Sequence, residues 1–165
     1  TLDLAAGVAG VPGLRVVGTP AATLLAFAAT TDGPDVLVVA DELRARGWVL
    51  QPQPAYGELP PTVHLTVTAA TAPLVTALLA DLEASVKAAA DQPPATPDPA
   101  LVAAAREVDV AALTPEVVTG LLELAGLGAD GSLPARMAPV HALLGVLPPP
   151  LAERLLAEVI SRTYT

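Results

Sequence analysis

The chain contains no cysteine and very few aromatic residues. Among its 165 residues are one Phe, one Trp and two Tyr. The absence of cysteine excludes disulfides and thiolate chemistry. The scarcity of aromatic side chains means that Leu, Val and Ala have to fill the core with many modest contacts. We therefore expect truncation of a single aromatic residue, such as Trp48→Ala, to be disproportionately destabilising.

Basic residues are also scarce. Eight Lys and Arg stand against 17 Asp and Glu, which gives a formal net charge of −9. Such a chain has no basic stripe that could neutralise phosphates, so we expect it not to bind nucleic acid or anionic membranes. Each apolar run is interrupted by a charge or a proline before it could cross a bilayer, so no transmembrane segment is predicted. We interpret the chain as cytoplasmic.

The patterns that are present predict an α+β fold over residues 1–90. Strands are predicted at Leu14–Gly18 and Thr23–Thr31, followed by turn residues and a helix that begins near Val36. In that helix Val36, Val39, Ala40 and Leu43 recur at helical spacing, while the charged residues Asp41, Glu42, Arg44 and Arg46 are expected to face outward.

A second pair of strands and a long helix follow. Trp48–Gln53 and Val63–Thr68 read as strands, and Thr71 starts a helix whose core stripe is Leu74, Leu78, Leu82 and Val86. The sum is a mostly antiparallel, four-stranded sheet in ββαββα order, covered by helices.

The remaining residues are predicted to form a linker and a C-terminal helical annex. Residues 91–99 are a Pro-rich linker, since Gln92–Pro99 holds four prolines. Residues 100–165 are the annex, and its closing helix is expected to pack on the same domain. Its predicted parts are short helices at Ala100–Ala105 and after Thr114, a loop at Gly128–Pro134, an apolar turn at Met137–Leu144, and a last helix with Leu151, Leu155 and Val159 inward.

Several of these segments, in this order, resemble one enzyme family. Arg44-Ala-Arg-Gly-Trp48 leads through Pro60-Pro61 to the strand Val63-His64-Leu65, and Arg136–Gly145 precedes the closing helix. This order resembles the C-terminal small domain of the sphingosine-1-phosphate lyase branch of pyridoxal phosphate-dependent decarboxylases (group II, fold-type I). Roughly Asp91 to Ser132 has no counterpart in that pattern.

The resemblance implies that this chain is not catalytic alone. In the family, a preceding large domain carries the Schiff-base lysine and the phosphate cradle. The sole lysine, Lys87, lies late in a predicted helix, with no phosphate cradle nearby, and we interpret it as a surface residue. The resemblance thus implies a carbon–carbon lyase or amino-acid decarboxylase, pyridoxal phosphate bound by that large domain, an amino substrate and a homodimer. The small domain would line the substrate entrance and support the dimer.

Three residues are candidates for substrate contact. His141 and Met137 lie in the segment that the resemblance puts nearest the chemistry, where relatives usually carry a Tyr at the position of His141. Tyr56 lies in the Pro-rich connector between two strands. No catalytic, cofactor-binding or metal-binding residue is predicted, and His64 is expected to make a structural hydrogen bond.

An alternative from another class remains open. A β-α-β-β-α order also suits a non-enzymatic, ferredoxin-like or ACT-like ligand-binding or dimerisation module. Residues Leu2–Val11 look like the tail of a helix whose beginning is missing, and position 1 is not Met. These features favour a piece of a longer protein, and the sequence that precedes Thr1 would separate the two interpretations.

Overall fold

The computed structural model describes residues 1–124, 126 and 132–163 and has the predicted α+β class. It divides into two compact units, unit 1 (Thr1–Ala95) and unit 2 (Thr96–Thr165). The division falls inside the Pro-rich segment that the sequence suggested as a linker.

Unit 1 is an antiparallel sheet with helices. Its strands stand in the order β1-β2-β4-β3, and every pairing is antiparallel. Because β4 lies between β2 and β3, these two strands run parallel to each other and form a split β-α-β arrangement with the helix between them. The elements are α1 (Leu2–Ala9), β1 (Leu14–Val16), β2 (Leu24–Ala29), α2 (Val36–Ala45), β3 (Gln51–Gln53), β4 (Thr62–Thr66), a 3-10 turn (Ala72–Leu74) and α3 (Val75–Ala90).

The two faces of the sheet differ in burial. On one face the cross-strand pairs Leu25–Leu65 and Phe27–Val63 are buried, and α2 contacts both β4 and α3. On the opposite face lie the pairs Leu24–Thr66 and Ala26–His64, in which His64, Thr66 and Leu24 are exposed. This alternation follows from the period of two along a strand, and it leaves the face that contains His64 open in unit 1.

Helix α2 is more deeply buried than its sequence predicts. All residues from Val36 to Leu43 are buried, including Asp41 and Glu42, which the sequence placed on an outward face. The prediction was wrong for these two residues, and for Glu42 the structure gives the reason, since its carboxylate binds side chains of the Pro-rich segment and of Arg46. The Gln92 side-chain amide donates to Glu42 Oε1 at 2.9 Å, and Arg46 Nη1 donates to Glu42 Oε2 at 3.0 Å.

The same segment is bound to the start of α2. Asp35 caps the helix, since its Oδ1 accepts from the Leu37 N–H at 2.8 Å, while its Oδ2 accepts from the Ala95 N–H at 2.9 Å. One carboxylate therefore stabilises the helix terminus and holds the chain that leaves unit 1.

Two other boundaries differ from prediction. Strand β3 begins at Gln51 rather than at Trp48, so residues 48–50 are not paired in the sheet. The Trp48 indole N–H instead donates to Asp81 Oδ2 of α3 at 2.7 Å. Leu74, predicted to be part of a core stripe, is 48% exposed because it lies in the 3-10 turn before α3.

Unit 2 is helical in its described part. Its helices are α4 (Pro99–Arg106), α5 (Pro115–Leu124), α6 (Ala138–Leu144) and α7 (Pro149–Thr163), with a 3-10 turn at Val110–Ala112. Met137–Leu144 is thus a helix and not the predicted apolar turn, since Pro139 occupies a first-turn position, where a proline is tolerated. The predicted loop at Gly128–Pro134 lies outside the described residues up to position 131. The core consists of Ala105, Val118, Leu122, Leu151 and Leu155.

We predict that Trp48 and Asp81 stabilise unit 1 as a pair. Trp48→Phe and Asp81→Ala should each lower the free energy of unfolding by about 1–2 kcal/mol, because each removes a hydrogen bond to a charged acceptor. The double variant should cost clearly less than the two single losses together, as measured by urea denaturation. Additive losses would show that the contact does not contribute.

Ser85 is a second test of the packing. Its side chain is buried on α3, and Oγ has no hydrogen-bond partner in the described structure. Ser85→Ala should raise the free energy of unfolding by about 1 kcal/mol, because an unsatisfied buried hydroxyl is removed. Thr76→Ala, an exposed position on the same helix, controls for the gain in helix propensity. A gain no larger than that of the control would contradict the prediction.

Candidate functional site

Met137 and His141 lie one turn apart at the start of α6. The His141 backbone N–H donates to the Met137 carbonyl at 2.9 Å, which places both side chains on the same side of the helix. Together they line an apolar pocket of about 110 Å³ in unit 2. Its other lining residues are Leu122, Leu133, Val140, Leu143, Leu144, Leu147, Leu155, Leu156 and Val159.

The pocket is too small to enclose a substrate by itself. Ligand pockets usually span about 300–1,000 Å³. Apart from His141, every lining side chain is aliphatic or a thioether, so the half-buried imidazole is the one lining group able to exchange a proton. The arrangement can present His141 and Met137 to a neighbouring molecule, and a role in substrate binding stays a prediction for both residues.

Tyr56 lies at the tip of the hairpin between β3 and β4 in unit 1. Its N–H donates to the Leu59 carbonyl at 3.1 Å, and the Leu59 N–H donates back at 3.0 Å. Gly57 has φ +58 within this turn, where a glycine is favoured. The Tyr56 side chain is 82% exposed. It is available for contact, and it does not line the pocket that contains Met137 and His141.

Lys87 does not fit a cofactor site. Its Nζ donates to Glu83 Oε1 at 2.8 Å on the surface of α3, and the lysine side chain is 75% exposed. The hydrogen bond from Lys87, and then its positive charge, lower the pKa of Glu83. A Schiff-base lysine needs a sheltered site beside the cofactor, whereas this side chain is exposed and paired with a carboxylate on the surface.

The described residues provide neither a cluster of metal ligands nor a hydrogen-bond partner for the His64 ring. Within residues 1–124, 126 and 132–163, no three or more His, Asp or Glu residues are grouped so that they could hold a metal ion. The structural hydrogen bond expected for His64 is not formed within those residues. It lies on the open face of the sheet, opposite Ala26 and Gln51.

The architecture is an α+β domain followed by a helical unit, the class that the sequence resemblance implied. Comparison with known families supports the second part directly. Residues 99–162 match the family model described as "Pyridoxal-dependent enzyme, C-terminal putative HTH domain". The match confirms the predicted similarity to pyridoxal phosphate-dependent enzymes.

A solved structure is also similar to part of the chain. It is a sphingosine-1-phosphate lyase of Burkholderia pseudomallei K96243, with 28% sequence identity and a TM-score of 0.46. The similarity covers 54% of this chain and 19% of the lyase chain, so the chain spans about a fifth of the length of that protein. No curated protein sequence matches the chain. In the described residues, no helix has both the length and the apolar character that crossing a membrane requires.

The sequence patterns alone did not reveal that the helical segment at residues 99–162 matches a known family. The segment from about Asp91 to Ser132 found no counterpart in the lyase pattern, yet most of it lies within the matched range. The residues at the helix starts did indicate a helical segment. Asp98 and Asp109 each cap a short element by accepting a backbone N–H two residues on, at 2.8 and 3.0 Å, and Pro99 and Pro115 open helices.

We predict that the hairpin tip depends on Gly57 and not on Tyr56. Tyr56→Ser should change the free energy of unfolding by less than about 0.5 kcal/mol, because the side chain is exposed. Gly57→Val should lower it by about 1–2 kcal/mol, because a β-branched residue is strained at positive φ. Urea denaturation of both variants measures this. A large loss for Tyr56→Ser would show that the ring packs against the domain.

Proposed function

We propose that the chain is the C-terminal part of a pyridoxal phosphate-dependent carbon–carbon lyase or amino-acid decarboxylase, in which it lines the substrate entrance and supports the dimer. The observation that carries this proposal is the match of residues 99–162 to a C-terminal domain of pyridoxal-dependent enzymes. The sequence order from Arg44 to Leu65 supports the same class independently, because it lies outside the matched range.

In this proposal a preceding domain holds the cofactor. The exposed, ion-paired Lys87 supports such a division of labour, since this chain offers no other lysine. The cofactor supplies the electron sink for the reaction of an amino substrate. His141 and Met137 contribute side chains to the substrate entrance, where an imidazole could donate a hydrogen bond to the substrate, and Tyr56 is a further contact residue.

A cytoplasmic homodimer is part of the same proposal and rests on the enzyme class. One structural feature supports an interface on unit 2. Leu156 and Ile160 lie one turn apart on α7 and are 44% and 58% exposed. Two large apolar side chains on the outer face of one helix are more typical of a protein contact than of free surface when other apolar residues adjoin them. Leu133, also about half exposed, lines the same pocket as Leu156.

We further propose that unit 2 does not bind DNA, although its family description refers to a helix-turn-helix. Residues 96–165 contain eight acidic residues and four arginines. Such a surface repels phosphates, whereas DNA-binding helices depend on Lys and Arg to neutralise them. A protein contact is the role that its charge favours.

A non-enzymatic ligand-binding or dimerisation module is the second candidate. The observation that favours it is the split β-α-β arrangement of β2, α2, β3 and β4, which ferredoxin-like modules share. Fold alone does not separate the two candidates, because the same architecture hosts many functions.

Expression of the complete natural reading frame separates them. We expect a polypeptide longer than this chain, with a Schiff-base absorbance band that borohydride reduction fixes covalently, detected by intact mass. The band should persist in Lys87→Met, because this lysine is exposed and ion-paired. A product no longer than this chain, which stays colourless with added pyridoxal phosphate, would favour the binding module.

The same enzyme tests the role of His141. If it contacts substrate, His141→Ala should raise KM by about tenfold, the cost of one lost hydrogen bond. His141→Gln should recover part of the loss, since an amide can still donate. Leu59→Ala, an exposed position in unit 1, is the control. An unchanged KM in His141→Ala would exclude the contact.

A further inference from the structure

A cleft of about 400 Å³ opens in unit 1 beside Trp48. It lies where the chain at residues 48–50 departs from β4, and Leu4, Leu74 and Leu78 supply apolar walls from three other parts of the unit. Its volume falls within the range of small-molecule sites, about 300–1,000 Å³, unlike that of the pocket beside His141.

One wall of the cleft is an open strand edge. The Val67 N–H donates to the Thr23 carbonyl at 2.8 Å, so the backbone of Val67 points toward β2. Since backbone groups alternate along a strand, the N–H and C=O of Thr66 point to the other side, toward β3. The last pair with β3 is Gln51–His64, and no described residue bonds to the Thr66 backbone groups. A donor and an acceptor, spaced as in a sheet, therefore line the cleft.

Trp48 forms a second, oriented wall. Its indole N–H is engaged by Asp81 Oδ2 at 2.7 Å, which fixes the position of the ring and leaves the N–H occupied. An oriented indole that lines a cleft provides an apolar surface against which a planar or aliphatic group can pack. Val49, also in the lining, is 90% exposed and adds apolar surface at the rim.

The charge of the lining restricts the ligand. None of the lining residues is Asp, Glu, Lys or Arg, although the chain as a whole carries a net charge of −9. An ion that entered would lose hydration without gaining a partner of opposite charge. The lining nevertheless contains the polar side chains of Gln51, His64 and Thr66. These side chains make no hydrogen bond within the described part of the chain, so they can pair with a ligand.

We propose that this cleft binds an uncharged small molecule that has an apolar body and a cis-amide edge, in which the N–H and the C=O point to the same side, as in a lactam. The edge pairs with the N–H and C=O of Thr66, and the body packs between Trp48 and Leu78. This site belongs to unit 1 and does not depend on the enzyme class proposed above.

The single tryptophan makes the site directly observable. The lactam 4-phenyl-2-pyrrolidinone, whose N–H and C=O share one edge, should change Trp48 emission saturably. The corresponding lactone, which has the same shape but no N–H, should bind about tenfold more weakly because the Thr66 carbonyl stays unpaired. Phenylacetate and benzylamine should give no saturable change. N-acetyltryptophanamide in solution corrects for collisional quenching. Equal binding of the lactam and the lactone, or no saturation with the lactam, would overturn the proposal.

Matched variants locate the binding. Leu74→Glu places a charge in the cleft and should weaken binding of the lactam at least tenfold. Leu59→Glu, at a leucine of similar exposure outside the cleft, should leave it unchanged; the two residues are 48% and 58% exposed, so both variants should fold. Thr66→Pro removes the edge N–H without disturbing the pairing with β2. It should weaken the lactam and the lactone alike, because both ligands accept that N–H through a carbonyl, and the preference for the lactam should remain. Binding that is insensitive to Leu74→Glu would contradict the assignment.

Discussion

The burial of α2 from Val36 to Leu43 is the constraint on which unit 1 depends. A helix that is covered on every side must have its polar groups satisfied inside the protein, because water cannot reach them. Asp35 and Glu42 meet that requirement with partners from the far end of the unit. They accept hydrogen bonds from Ala95 and Gln92, which follow α3. The Pro-rich segment is thus part of the fold of unit 1 up to Ala95.

A core of small aliphatic groups has a further consequence. With so few aromatic side chains, both units are built from Leu, Val and Ala, and contacts between individual residues are modest. Phe27 is fully buried in the core of unit 1, whereas Trp48 is held by a hydrogen bond rather than by full burial. Its position away from the sheet leaves the edge of β4 uncovered at Thr66. The structural role of this residue and the existence of the cleft therefore have the same origin.

The class and element order were predictable because they rest on local patterns. Alternation in β4, helical spacing in α3 and turn residues before α2 led to the ββαββα order that the structure has. The failures had non-local causes. Glu42 is bound by Gln92, 50 residues further along the chain, and the strand expected at Trp48 yields to a hydrogen bond with α3. In unit 2, the adjacency of Met137 and His141 could be predicted from their spacing, but the helix that carries them was not recognised because it is short and contains Pro139.

The sequence by itself determined the periodicities, the caps, the acidic charge and the resemblance to pyridoxal phosphate-dependent enzymes, because each of these is a property of neighbouring residues or of composition. Only the tertiary structure decided which polar groups are buried, that the Trp48 indole meets Asp81, 33 positions away, and that the backbone of Thr66 is left open beside an apolar cleft. Those outcomes depend on how distant segments compete for the same strand edge and the same helix face, and local patterns carry no information about that competition.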